Sequence, residues 1–250
     1  EDWTLISPPN GSFKWGGMVL SIPSSSREKE AAWDFASYLE LYYKYQAHYQ
    51  IDEALSGHRS EALLEQAARA PFDEKLSVIS LVLAKLNVEF RKTGKMEDSL
   101  ELLFEKLKAV KERLAEDGDG TPVQRLTAFI GEVREEYEGK KQAGLLTRAQ
   151  IHQYEDVCGT MDQYILAAGE AEAQDGEALF GMLAARFGEE REQYEDQCRA
   201  ALQMVEYAFD FMEGAFGDSQ EMVIFITELN TSYDAVRFLE ENPCERYYQY

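Results

Sequence analysis

The feature that most limits what this chain can fold into is the recurrence of apolar residues every three to four positions over most of its length. Leu76, Ile79, Leu83, Leu86 and Phe90 form one such stripe, and Leu100, Leu103, Phe104, Leu107, Val110 and Leu114 form another. That spacing puts each set on one face of an α-helix, whereas a strand would send alternate residues to opposite faces. From about Trp33 onward nearly every window reads this way. The expected fold class is therefore mainly α: a multi-helix bundle or helical hairpins, with a short β/turn segment at the N-terminus.

Punctuation residues divide the pattern. The spacing predicts helices over Ser60–Arg69, Asp73–Thr93, Met96–Glu116, Pro122–Ala143, Thr147–Ala168 and Ala173–Phe216. Gly94 is the expected stop of the second of these, with Asp98 or Ser99 a cap for the third if it begins later. Asp117-Gly118-Asp119-Gly120-Thr121-Pro122 is the clearest break. Thr147, followed three positions later by Gln150, is a capping box. Gly176, Gly181 and Gly188 are candidate bends in the last stretch. Leu100–Leu114 and Glu189–Phe211 have heptad-like spacing, but neither persists long enough to require a coiled coil.

The first thirty residues differ in kind. Three of the six prolines (Pro8, Pro9, Pro23) and three of the seventeen glycines (Gly11, Gly16, Gly17) fall there. Gly17-Met18-Val19-Leu20-Ser21-Ile22 reads as one short strand between Gly-Gly and Pro23. Ser24-Ser25-Ser26 then caps a helix whose stripe is Ala32, Phe35, Ala36, Leu39 and Tyr43. Two regions are expected: residues 1–70, with one strand and helices, and an acidic helical domain over 71–250.

Charge narrows the function classes. The chain carries 25 Lys+Arg against 47 Asp+Glu, a net charge of −22. Residues 71–250 hold −18 of it and residues 1–70 hold −4. No basic face is left to neutralise phosphates, so nucleic acid is not an expected partner, and an anionic membrane surface would repel the chain. No window offers the roughly 18 uninterrupted apolar residues of a membrane span. Most of the charge is expected to be the solvated outer face of helices, with an acidic docking face for a basic partner as the alternative. The chain starts at Glu1, with no basic segment or long apolar run following, so no signal peptide is visible and it is expected to be a piece of something longer.

Motifs for catalysis or cofactors are sparse. There is no GxxxxGK[ST], no GxGxxG between a strand and a helix, no HExxH and no GxSxG. His48, His58 and His152 have Tyr45, Leu55 and Ala149 three positions before them, none a carboxylate. Asp117-Gly118-Asp119-Gly120 lacks the sixth-position Gly and twelfth-position Glu of a calcium loop. Cys158, Cys198 and Cys244 form no CxxC pair and are expected to be buried or idle, although Cys158 lies six residues from His152. No cofactor, metal or catalytic residue is expected, and the chain reads as a non-enzyme. One constellation suits a ligand: Trp15-Gly16-Gly17 sets a flat ring beside two residues without side chains, where a sugar could stack and meet backbone amides. A Gly-Gly turn entering a strand accounts for the same residues without any ligand.

Two segments resemble known families. Trp15-Gly16-Gly17 through Ser21-Ile22-Pro23 to Lys29-Glu30-Ala31-Ala32-Trp33-Asp34-Phe35, within about residues 10–45, resembles extracellular sugar-binding proteins of ABC transporters. That resemblance implies a carbohydrate ligand beside Trp15, Gly16 and Gly17 and an extracytoplasmic location. Phe216-Gly217-Asp218-Ser219-Gln220-Glu221-Met222-Val223-Ile224-Phe225-Ile226-Thr227-Glu228-Leu229, with Pro243-Cys244-Glu245-Arg246-Tyr247-Tyr248 after it, resembles the C-terminal helical region of bacterial AAA-type ATPases, over about residues 150–250. It implies a cytoplasmic interaction or regulatory module without the nucleotide-binding core, whose partner is another protein or its own ATPase core. Phe238, Tyr247, Tyr248 and Tyr250 are the expected interaction surface. The second resemblance falls in the helical part that makes up most of the chain, and it sets the leading expectation; the carbohydrate-binding reading is the alternative.

Overall fold

The computed structural model describes residues 48–115, 119–170, 175–217 and 219–250. Among them there is no strand, and the helical bundle expected from the periodicity is what forms. The short strand at 17–22 and the helix after it lie outside the described residues. In chain order the helices are α1 (48–55), α2 (Glu61–Arg69), α3 (Phe72–Ala115), α4 (Pro122–Gln142), α5 (Arg148–Glu170), α6 (Gly176–Phe216), α7 (Gln220–Thr231) and α8 (Tyr233–Glu241), followed by a 3-10 turn, Glu245–Gln249. No described helix is long and apolar enough to cross a membrane.

The described residues fall into two compact units. One gathers 48–82 with 207–217 and 219–222. Its buried residues include Ile51, Ile79, Val82, Phe209 and Met212, each worth about 1.5–3 kcal/mol for an apolar side chain taken fully out of water. The α1–α2 turn depends on Gly57, whose φ is +80° and whose missing Cβ would stand 2.9 Å from the Tyr207 ring. Any other residue would meet both backbone strain and that ring. At the far end of α6, Gly217 (φ +57°) closes the helix, its N–H donating to the Glu213 carbonyl at 2.9 Å. Beyond it, buried Glu221 pairs with Lys75 at 3.2 Å, and the same ammonium lies 5.7 Å from the centre of the Phe216 ring.

The other unit gathers 83–206 and 223–250 within the described residues, and its side-chain pairs give the helix directions. On α3 and α4, Arg113 meets Glu132 and Lys106 meets Glu136; rising numbers on one helix match falling numbers on the other, so the two are antiparallel. The pairs Arg134–Asp162 and Lys141–Glu155 make α4 and α5 antiparallel, with the Tyr137 and Tyr154 rings stacked at 5.1 Å. Glu89 with Gln197, Phe104 with Phe187 and Lys111 over Phe180 make α3 and α6 antiparallel. Asn87 with Ser232, Arg91 with Asp234 and Glu97 with Arg237 make α3 and α8 parallel. A core of Leu103, Leu107, Val110 and Leu114 from α3 is closed by Leu126 and Ile130 of α4, Val157, Met161 and Tyr164 of α5, and Leu179 and Leu183 of α6.

Local signals explain the starts. Thr147 and Gln150 form the expected capping box: the Gln150 N–H donates to the Thr147 hydroxyl at 3.3 Å, and the Thr147 N–H to the Gln150 side chain at 3.0 Å. Thr121 and Gln124 repeat it at the head of α4, with Pro122 in the first helical position, where its missing N–H costs nothing. Ser232 caps α8 by accepting from the Ala235 N–H.

Three expectations are corrected. Gly94 does not stop a helix: α3 runs unbroken for 44 residues, and Gly94 is absent from the glycines of positive φ that could turn the chain. An interior glycine costs a helix about 1 kcal/mol, less than opening a second helix with its own costly nucleus. α6 runs unbroken through Gly181 and Gly188 for the same reason. Phe104 belongs to no core stripe; it is exposed, stacked on Phe187 at 5.6 Å with the Lys108 ammonium 4.3 Å from its ring centre.

These two glycine environments predict opposite outcomes. Gly57→Ala is expected to lower unfolding free energy by about 1–3 kcal/mol, from left-handed strain plus the ring contact. Gly94→Ala, whose Cβ would meet nothing within 4 Å, is expected to raise it by up to about 1 kcal/mol. Urea unfolding of both variants checks the signs.

Candidate functional site

The parallel pairing of α3 with α8, together with α6, leaves a cleft of about 210 Å³ in the second unit. Phe90 and Phe238 supply apolar lining, both buried, with ring centroids 5.1 Å apart. Thr93 is buried beside them, its hydroxyl donating to the Glu89 carbonyl at 2.8 Å, so its polar atom is already used within the helix. Gly94 leaves space one residue on. The Tyr194 ring of α6 and Tyr233 of α8 complete the aromatic lining, and Tyr233 is 77% exposed at the mouth.

Charged side chains stand around these rings in pairs. Arg237 lies 2.7 Å from Glu97 across the two helices and 3.6 Å from Glu241 one turn along α8. Arg91 lies 3.1 Å from Asp234. Two carboxylates thus share the Arg237 guanidinium. Burial, then the nearby Glu241, hold the Glu97 carboxyl above its usual range, with Arg237 pulling the other way. Burial and the Cys198 thiol push the Tyr194 phenol up, so it stays protonated at neutral pH.

A second aromatic feature lies at the end of the chain. The Tyr247 hydroxyl donates to the Asn230 side chain at 2.6 Å and the Tyr248 hydroxyl to the Leu239 carbonyl at 2.9 Å, while their rings meet edge to face at 5.1 Å. Tyr248 and Tyr250 keep 59% and 53% of their surface exposed. Of the four residues expected to form an interaction surface, Tyr248 and Tyr250 are open, Tyr247 is half-buried and Phe238 is 5% exposed, inside the fold and in the cleft lining. Trp15, Gly16 and Gly17 lie outside the described residues.

Two of the three thiols are accounted for by their surroundings. Cys158 stands beside Arg134 and Asp162, and burial pushes its pKa up; Cys198 is buried and raised likewise. Both are therefore poor thiolate nucleophiles at neutral pH. His152 faces Glu155 at 3.6 Å. Among the described residues no group of three or more His, Cys, Asp or Glu is placed to hold a metal ion. A smaller cleft, about 150 Å³, lies in the first unit beside Gly57, Arg59 and Tyr207.

The sequence offers Phe238 as part of an exposed interaction surface, whereas the structure buries it in the cleft lining; it gives no signal for Gly94, Glu97, Tyr194, Arg237 or Glu241 as cleft residues. Gly94 reads in the sequence as punctuation. The others resemble any solvated helix position until α3 and α8 are paired across 140 residues. Comparison with models of known families, with curated proteins and with solved structures finds no match for this chain.

Glu97 and Glu221 carry opposite pH signatures. Raised in the fold, Glu97 contributes stability fully below its unfolded value near 4.5 and loses it as pH rises through the folded one. Glu221 is held below its usual range by the polar groups beside it, Ser219 first and then its own backbone N–H, and by Lys75; its contribution is present above 4.5 and lost as pH falls through the folded value. Glu97→Gln is expected to remove a loss of stability just above pH 4.5, and Glu221→Gln to remove one below it. Unfolding midpoints across roughly pH 3 to 7 check both signs.

Proposed function

We propose that this chain is a non-enzymatic interaction or regulatory module, the C-terminal helical part of a cytoplasmic AAA-type ATPase, acting by contact with its own ATPase core or with another protein. The observation that supports this best is the tyrosine end. Two hydroxyls are tied to the body of the fold while Tyr248 and Tyr250 present their rings to solvent. A tyrosine held in place loses little entropy when a partner covers it, and it offers both apolar area and a polar tip. The segment in which this end lies is also the one that resembles the ATPase tail.

The residues encoded before Glu1 test the reading. A P-loop domain is expected there, and that domain, produced separately, is expected to bind this chain with an affinity that Tyr248→Ala with Tyr250→Ala weakens about tenfold, or 1.4 kcal/mol. The carbohydrate-binding alternative makes the contrary forecast. A signal peptide and a large lobe encoded upstream, with micromolar oligosaccharide binding by calorimetry that Trp15→Ala abolishes, would overturn the module in its favour.

A further inference from the structure

We infer that the cleft between α3, α6 and α8 is a socket for one basic side chain, arginine foremost, carried on an exposed segment of a protein partner. This rests on the reading of the chain as an interaction module and adds the chemistry of what it holds. Size is the first argument. At about 210 Å³ the cleft is below the roughly 300–1,000 Å³ of pockets that enclose drug-sized ligands, and it suits a group no larger than one long side chain.

The lining decides which side chain. Tyr194, Tyr233 and Phe238 are among the lining residues, and aromatic rings attract a cation and stack on a planar guanidinium better than on an ammonium. The charges point the same way. The lining carries four carboxylates (Glu97, Asp98, Asp234, Glu241) against three cations (Arg91, Lys95, Arg237); Arg91 is already engaged by Asp234, and Arg237 is divided between Glu97 and Glu241. The Glu97 carboxyl, held above its usual range first by burial and then by Glu241, is the group that gains most from a further cation. An entering guanidinium would supply it through forked, charge-assisted hydrogen bonds, whereas an entering anion would deepen the imbalance. The −22 charge of the whole chain draws basic partners toward it and repels acidic ones.

Gly94 allows the socket to be closed without touching a charge. Its Cβ would point into open space, so a leucine there can fill the cleft while improving helix propensity. The experiment is fluorescence anisotropy of the full chain with labelled Gly-Ser-Gly-Arg-Gly-Ser and with the same peptide carrying Lys or Glu in place of Arg. Saturable one-to-one binding is expected for Arg, weaker binding for Lys and none for Glu. Tyr233→Ala and Glu241→Gln are each expected to weaken the Arg peptide about fivefold, and Gly94→Leu to abolish binding with no fall in thermal midpoint. Absence of saturable binding overturns the inference. So does binding that survives Gly94→Leu, because general attraction to an acidic surface would survive it too, and so does preference for the Glu peptide. If the upstream domain binds this chain while the Arg peptide does not, the socket alone fails; if an upstream lobe and sugar binding are found, the module reading fails.

Discussion

The second unit depends on the continuity of α3. Between residues 87 and 113 this helix presents partners to α4, α6 and α8, and each contact comes at a different height along the same axis. A helix rises 1.5 Å per residue, so 44 residues make a rule about 66 Å long on which each neighbour finds its level. Had the chain turned at Gly94, Arg91 and Glu97 would belong to different elements, and α8 could not meet both with Asp234 and Arg237. The cleft exists because the helix goes on where a glycine invited it to end.

The electrostatics follow from the same frame. Most ion pairs here are exposed and worth about 1 kcal/mol or less apiece, so they set register more than stability. The groups that matter are those partly removed from water. Lys75 and Glu221 form a satisfied pair, further supported by the Phe216 ring. Glu97 is a different case, since it must share Arg237 with Glu241 in surroundings that favour its neutral form. A fold with 47 acidic residues can place most of them in solvent; the few it holds partly out of water, Glu97 and Glu221, carry more information than the total.

How much of this was legible depended on the range of each signal. Thr147 and Gln150 act across three residues, and their capping box was read directly; Thr121 and Gln124 show the same pattern in plain view. The stripe of Leu103, Leu107, Val110 and Leu114 was read as well, because helical period is local. Phe104 was misassigned because one step on a helix swings a side chain by about 100°. That step took it away from the core formed with Leu103 and onto Phe187, a partner 83 positions away that no local pattern reveals. Gly94 was misread for a related reason: whether a glycine ends a helix depends on whether packing on both sides keeps the turns together. Tyr248 and Tyr250 were legible as an aromatic end, whereas the burial of Phe238 required knowing that Phe90 would face it.

The distance in sequence between the two walls of the cleft also has a temporal side. Glu97 and Arg237 are separated by 140 residues. At roughly 5–20 residues per second, α3 leaves the ribosome on the order of 10 s before α8 exists to cover Phe90. Through that interval the stretch of α3 around Phe90 that α8 covers is an open strip on a nascent chain. The salt bridge that finally spans it is among the last long-range closures the protein can make.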